Sequence, residues 1–123
     1  GEYVKIDFDK ATYYFKLAAE QNSALAQLNL GLIYYKIKND FAKAFYYFSL
    51  ADKNNDEISQ FYLGIFYENG YFVNENINKS IYYYTLSANK NYVEAQFKLG
   101  NIHEKGKLVR KKLIKQFIII LWQ

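Results

Sequence analysis

The 123-residue sequence contains no cysteine, no methionine and no proline, and only one histidine. Without cysteine there is neither a disulfide framework nor a thiolate metal site, and His103 alone leaves no basis for a His-rich or Cys-rich zinc site. The lack of cysteine suits a reducing compartment, with the cytoplasm favoured, and does not exclude a lumenal or secreted one. The chain opens on Gly1 without a charged leader and apolar core of signal-peptide type. No apolar run nears the ~20 residues that span a bilayer. We expect it to be a piece of a longer polypeptide. Its few glycines are isolated, so there is no P-loop or dinucleotide fingerprint. Glu68 and Glu75 flank a glycine-containing turn but lack the ligand spacing of a calcium loop. No catalytic residues, cofactor or metal are therefore expected, and the chain reads as non-enzymatic.

Acidic side chains are missing from residues 105–123, which carry five lysines and one arginine. Residues 1–104 hold ten lysines against twelve acidic residues, a net charge of −2, so the overall +4 is a property of the tail alone. What the chain has in abundance is aromatic residues, 14 Tyr and 10 Phe. Runs such as "FYYFS" and "IYYYT" suggest stacking platforms for bases. They recur at fixed repeat positions in a net-negative segment, however, and no nucleic-acid partner is expected.

That recurrence is the main signal, since self-similarity at a period of about 20 to 50 residues denotes a repeat architecture. "SALAQLNLGLIYYK" from Ser23, "EISQFYLGIFYEN" from Glu57 and "VEAQFKLGNIHEK" from Val93 superimpose. Gln27, Gln60 and Gln96 coincide, as do Leu30-Gly31, Leu63-Gly64 and Leu99-Gly100, followed three residues later by Tyr34, Tyr67 or His103. A second motif alternates with the first: "DFDKATYYFKLAAE" from Asp7, "DFAKAFYYFSLADK" from Asp40 and "NINKSIYYYTLSAN" from Asn76. Asp7, Asp40 and Asn76 are strong N-cap types and stand where a helix should start. Lys10, Lys43 and Lys79 align, and small residues recur seven apart at Ala11 and Ala18, Ala44 and Ala51, and Ser80 and Ser87. Linking turns share a Gly with Val three later at Gly1, Gly70 and Gly106, while the turn between Tyr34 and Asp40 is three residues shorter.

Each repeat is thus a pair of helices, and the pattern resembles the Sel-one-like repeat, a branch of the tetratricopeptide-like helical repeats. The matching positions are Ala26, Leu30, Gly31, Tyr34, Asp40, Lys43, Ala44, Tyr47 and Ala51 in one copy. In the next they are Ser59, Leu63, Gly64, Tyr67, Gly70, Val73, Asn76, Lys79, Ser80, Tyr83 and Ser87. Tyr14, Tyr47 and Tyr83 stand where that family more commonly has Trp. The resemblance implies an all-α fold, an α-solenoid of antiparallel helix pairs. The expected array covers 1–109: a half repeat 1–22, full repeats 23–55 and 56–91, and a partial repeat 92–109, followed by a divergent basic-apolar tail 110–123. It also implies a non-catalytic scaffold or adaptor that binds a protein or peptide on its concave face. The alternative is a regulatory arm of a larger enzyme, for example a kinase, whose catalytic domain lies elsewhere.

Two sets of residues follow. Those assigned to packing within the array are Ala26, Leu30, Gly31, Tyr34, Ala44, Tyr47, Ala51, Leu63, Gly64, Tyr67, Ser80, Tyr83, Ser87, Leu99, Gly100 and His103. A glycine inside a helix costs about 1 kcal/mol relative to alanine. Its recurrence therefore points to a helix-helix contact that tolerates no side chain, with the small residues of the second helix leaving room for Leu and Tyr. The candidate partner-binding face is the other side of the first helices: Leu25, Leu28, Leu32, Tyr35 and Lys36; Ile58, Phe61, Ile65, Glu68 and Asn69; Glu94, Phe97, Asn101 and Glu104. Because apolar stripes are usually core, packing between repeats is the competing role for these positions.

In the tail, "KLVRKKLIKQFIIILWQ", the register predicts a second helix from about Leu113 with small residues at the positions of Gln116 and Gln123, and has neither. "FIIILW" reads more like an aggregation-prone strand than a capping helix. Three origins are open: a frameshifted end of a continuing array, a degenerate last helix, or a basic-apolar membrane or partner anchor. Membrane contact is expected only through residues 105–123.

Overall fold

A computed structural model describes residues 7–122, in which all regular structure is helical. The elements are α1 (Phe8–Glu20), α2 (Ala24–Leu32), α3 (Phe41–Lys53), α4 (Glu57–Asn69), α5 (Ile77–Ala88) and α6 (Val93–Leu121). α2 runs on into one π-helical turn, Ile33–Ile37. The expected turn at residues 1–6 and the expected small residue at 123 lie outside the described residues. Consecutive helices pack on one another in chain order, as an α-solenoid requires.

Local signals set the boundaries. Asp7 Oδ1 accepts from Lys10 N at 3.0 Å, Asp40 Oδ1 from Lys43 N at 3.1 Å and Asn76 Oδ1 from Lys79 N at 3.0 Å. Each side chain so satisfies a donor that the first turn leaves free. Ser23 and Asp56 cap α2 and α4 in the same way. The two linking turns differ in length but close alike. Asp40 N donates to Tyr34 O, and Asn76 N donates to the equivalent Tyr67 O, both at 2.8 Å. The shorter connection manages this through the π-helical turn, whose wider winding is marked by Lys38 N donating to Ile33 O at 3.0 Å. The longer connection uses Gly70 in the left-handed region at φ 70°.

The core is built where second helices meet first helices. Leu30, Leu63, Ala44, Phe48, Ala51, Phe66 and Tyr84 are wholly removed from solvent, and each large side chain among them contributes about 1.5–3 kcal/mol of apolar burial. The role of the glycines is more specific than backbone approach alone. A Cβ on Gly31 would lie 2.5 Å from two ring carbons of Phe48, and one on Gly64 would lie 2.6 Å from the ring of Tyr84. The glycine is a seat for an aromatic ring. The small residues work beside it, with Ser80 Oγ donating to Gly64 O at 2.9 Å.

The last repeat departs from expectation. No turn follows Lys105 and no second helix starts at Leu113; α6 is one 29-residue helix that continues through Gly106 to Leu121. "FIIILW" is therefore helical, not strand-like. Lys112 has no side chain able to accept from a helix start, and Gly106 does not take a positive φ. Straight-chain and Leu residues then continue the winding. In consequence Gly100 has nothing within 4 Å of its Cβ position. Gly100 and His103, expected to be packed, are exposed, and Leu99 is only half-buried. The helix that would cover them is not there.

Candidate functional site

The first helices α2 and α4 each leave one stripe uncovered, and the same register is open in α6, most of which is exposed. By repeat register these are Leu25, Asn29, Leu32 and Lys36; Ile58, Tyr62, Ile65 and Asn69; and Glu94, Lys98, Asn101 and Lys105, all half-buried or exposed. The spacing of four, three and four residues keeps each set on one helical face. Leu25 is 67% exposed, so the α2 end offers free apolar surface. At α4 the stripe is Ile58, Tyr62 and Ile65, with the Lys36 ammonium 5.5 Å from the centre of the Tyr62 ring. At α6 it is charged: Lys98 Nζ lies 3.6 Å from Glu68 Oε1, and the other oxygen of Glu68 accepts the Tyr84 hydroxyl. The surface grades from apolar to charged along the array.

The proposed binding face is divided by the structure. Leu28 and Phe61 are buried and unavailable to a ligand, because each lies on the flank of its first helix turned into the core; Phe61 packs on Tyr84 and Tyr92. Tyr35 is half-buried, its ring within 6.1 Å of Phe41, Tyr62, Phe66 and Tyr71. Burial, reinforced by Tyr71 and Tyr62, raises the pKa of its hydroxyl. Glu68 is tied up by Tyr84 and Lys98, and Asn69 donates to Ile65 O while remaining exposed. Leu32, Ile58 and Ile65 are half-buried; Leu25, Lys36, Glu94, Phe97, Asn101 and Glu104 are exposed. Asn29, Tyr62 and Lys98 share the open stripe but were not among the expected residues. They occupy one register position with three unlike side chains, which hides the position from a search for similarity.

The remaining repeated residues hold the stripe in place. Tyr34 stacks on Tyr47 at 5.8 Å with planes 3° apart, and Tyr67 on Tyr83 at 5.7 Å and 5°. The recurrent lysine of the second motif lies over the same ring, Lys43 at 5.3 Å from Tyr34 and Lys79 at 5.2 Å from Tyr67, a cation-π contact. Burial, with the Asp52 charge nearby, pushes the Tyr83 hydroxyl up to about 12. Ala26, Ser80 and Ser87 are buried, as are Leu30, Gly31, Tyr34, Ala44, Ala51, Leu63 and Gly64. Tyr47, Tyr67 and Tyr83 are half-buried. The aligned glutamines pin the turn before their own helix. Gln27 Nε2 donates to Ala19 O at 3.3 Å, and Gln60 Nε2 to Asp52 Oδ1 at 3.0 Å and Asn55 Oδ1 at 3.2 Å. Asn22, Asn55 and Asn91, at φ 67°, 63° and 66°, recur in those turns, where asparagine tolerates the left-handed conformation.

Among the described residues no group of three His, Cys, Asp or Glu side chains is placed to hold a metal, and no helix is long and apolar enough to cross a membrane. A search of curated proteins finds no match. Among solved structures the chain is similar to a protective antigen of uropathogenic Escherichia coli strains displaying an SLR fold. The identity is 27% and the TM-score 0.77, over 84% of this chain and 23% of that one. It is also similar to a Sel1 repeat protein from Oxalobacter formigenes, at 27% identity and TM-score 0.76, over 81% of this chain and 30% of that one. The chain thus spans less than a third of either protein. The Sel1 repeat profile matches residues 1–23, 24–56, 58–92 and 93–115. Proteins of this family are generally non-catalytic and mediate protein-protein interactions. With four matches spanning nearly all of its length, a helical-pair fold and solved neighbours of the same fold, the chain belongs to the Sel1 repeat family.

Proposed function

We propose that this chain is a non-catalytic scaffold that captures a protein segment along the open stripe of α2, α4 and α6. The observation that supports this is the stripe itself. It is the one stripe of the first helices that is nowhere fully buried in all three copies, and in α2 and α4 it carries the exposed Leu25 and the half-buried Leu32, Ile58, Tyr62 and Ile65, which pack on the core with one side. Extended surfaces of this kind are what stacked repeats use for binding. The gradient sets the chemistry of the segment: apolar anchors toward α2 and α4, and a charged or amide-bearing end toward Glu94, Lys98 and Asn101.

Selection from a displayed peptide library against the 123-residue chain tests this. Enriched peptides should carry two or more apolar anchors and should lose at least about tenfold in affinity to a Leu25→Asp, Ile65→Asp double variant that keeps its helicity. Peptides that bind the variant as tightly as the parent would place capture elsewhere.

A further inference from the structure

The apolar half of the stripe carries a single charge. Of the stripe residues on α2, its π-helical turn and α4, only Lys36 is ionised at neutral pH. Other lysines around the stripe are answered by a carboxylate. Lys38 Nζ lies 3.4 Å from Asp9 Oδ1, Lys43 Nζ 3.9 Å from Asp40 Oδ2 and Lys98 Nζ 3.6 Å from Glu68 Oε1. Lys36 is exposed, and among the described residues no carboxylate pairs with it.

An aromatic face holds this lysine instead. Its ammonium is 5.5 Å from the centre of the Tyr62 ring, within the reach of a cation-π contact. The contact crosses from the end of α2 to α4, so the charge stands at the seam between two first helices. The half-buried Tyr62 ring is itself fixed, stacked on Phe48 at 5.1 Å with planes 6° apart and met edge-on by Tyr35 at 5.8 Å. A lysine resting on such a support loses less freedom on binding than one waving in solvent. The position is also open inside the array. Asn69, its equivalent on α4, has α2 on one side of its helix and α6 on the other, and is exposed.

We propose, resting on capture along the stripe, that the captured segment presents an aspartate or glutamate side chain to Lys36, between its apolar anchors. Charge complementarity selects this occupant. A basic residue would be repelled there, and a neutral one would cover an ammonium and strip its water without supplying a counter-charge. Lys98 does not make the same demand, because Glu68, fixed by the Tyr84 hydroxyl, already answers it. Along the rest of the stripe's α6 end, Glu94 and Glu104 balance Lys98 and Lys105, so that end sets no sign. Selection by charge therefore falls at the α2–α4 seam.

The test is selection from a library of peptides displayed through their C-termini, so that side chains supply the only carboxylates. It is run in parallel against the parent chain, Lys36→Glu and Lys98→Met, with helicity checked by circular dichroism; Lys36→Met repeats the measurement should Lys36→Glu lose helicity. The parent should enrich Asp or Glu at one place between the apolar anchors, and Lys36→Glu should enrich Lys or Arg at that place. Lys98→Met should leave the acidic preference unchanged. A selected peptide should lose about threefold or more in affinity when Lys36 becomes Met or its own acid becomes the amide, and little more when both are changed. Peptides that lose affinity to the Leu25→Asp, Ile65→Asp variant yet show no acidic preference, or whose acid is indifferent to Lys36, would overturn this inference and leave capture along the stripe standing. Peptides indifferent to that double variant would overturn both.

Discussion

Gly31 and Gly64 carry the same Leu-Gly signature as Gly100, yet the first two are buried beneath rings and the third faces open space. The difference lies in the neighbour and not in the motif. A repeat signature specifies the surface a helix presents; whether that surface becomes core depends on the next helix, and residues 113–121 continue α6 instead of folding back onto it. The comparison can be broken most sharply by adding the same side chain at both kinds of site. Gly31→Leu forces atoms into the space of Phe48, which is wholly buried and has nowhere to turn. We expect a loss of about 2–3 kcal/mol from overpacking, even after the ~1 kcal/mol gained in helix propensity. Gly100→Leu should instead gain about 0.5–1 kcal/mol, since only the propensity term remains. Urea denaturation of the two variants reads both signs. A comparable loss at both positions would mean that Gly100 is covered in solution.

The internal part of the array was legible because its signals are local and redundant. Caps at Asp40 and Asn76, apolar residues at helical spacing and paired small residues all agree on where each helix starts and what it buries. The aromatic seat was not legible, because Phe48 and Tyr84 sit among other Tyr and Phe residues of similar hydropathy and only the packing shows which ring enters the glycine gap. The end of the array misled for a related reason. "GKLVRKK" copies the turn pattern of "GYFVNEN" at its Gly and Val, but in the latter Gly70 is held at positive φ and Asn76 caps the helix that follows. Lys112 offers no cap, and α6 continues unbroken to Leu121. On the binding face, the helical period put Leu28 and Phe61 beside Leu25 and Ile58, and a sequence does not reveal which edge of a broad apolar stripe its neighbours will cover.

The aligned glutamines extend the same contrast at a smaller scale. Gln60 is buried, donates to Asp52 and Asn55, and accepts from Lys90 Nζ at 2.6 Å; Gln96 is exposed and donates only to Ala88 O at 3.2 Å. Gln60→Leu strands a half-buried lysine and two partly buried acceptors and should cost about 2 kcal/mol. Gln96→Leu, at the open end, should stay within about 0.5 kcal/mol. Thermal unfolding of the pair gives the comparison. Equal shifts would mean that the turn before α6 carries as much load as the one before α4.

A single substitution inside α4 is also expected to give a gain. Ser59 is wholly buried, and its hydroxyl oxygen has no hydrogen-bond partner among the described residues. In register it stands between Ala26 and Ala95, both buried alanines on the same face of their own first helices. A hydroxyl taken from water without a partner costs roughly 1–3 kcal/mol on mutational scales, and serine is a poorer helix former than alanine. Ser59→Ala should therefore stabilise the chain by about 1 kcal/mol, the lower end of that range because the methyl leaves a small void where the oxygen was. A rise in Tm with unchanged helicity is the expected readout. A fall would show that the hydroxyl is satisfied in solution, and would make α4 differ from α2 and α6 in a contact that the repeat register treats as shared.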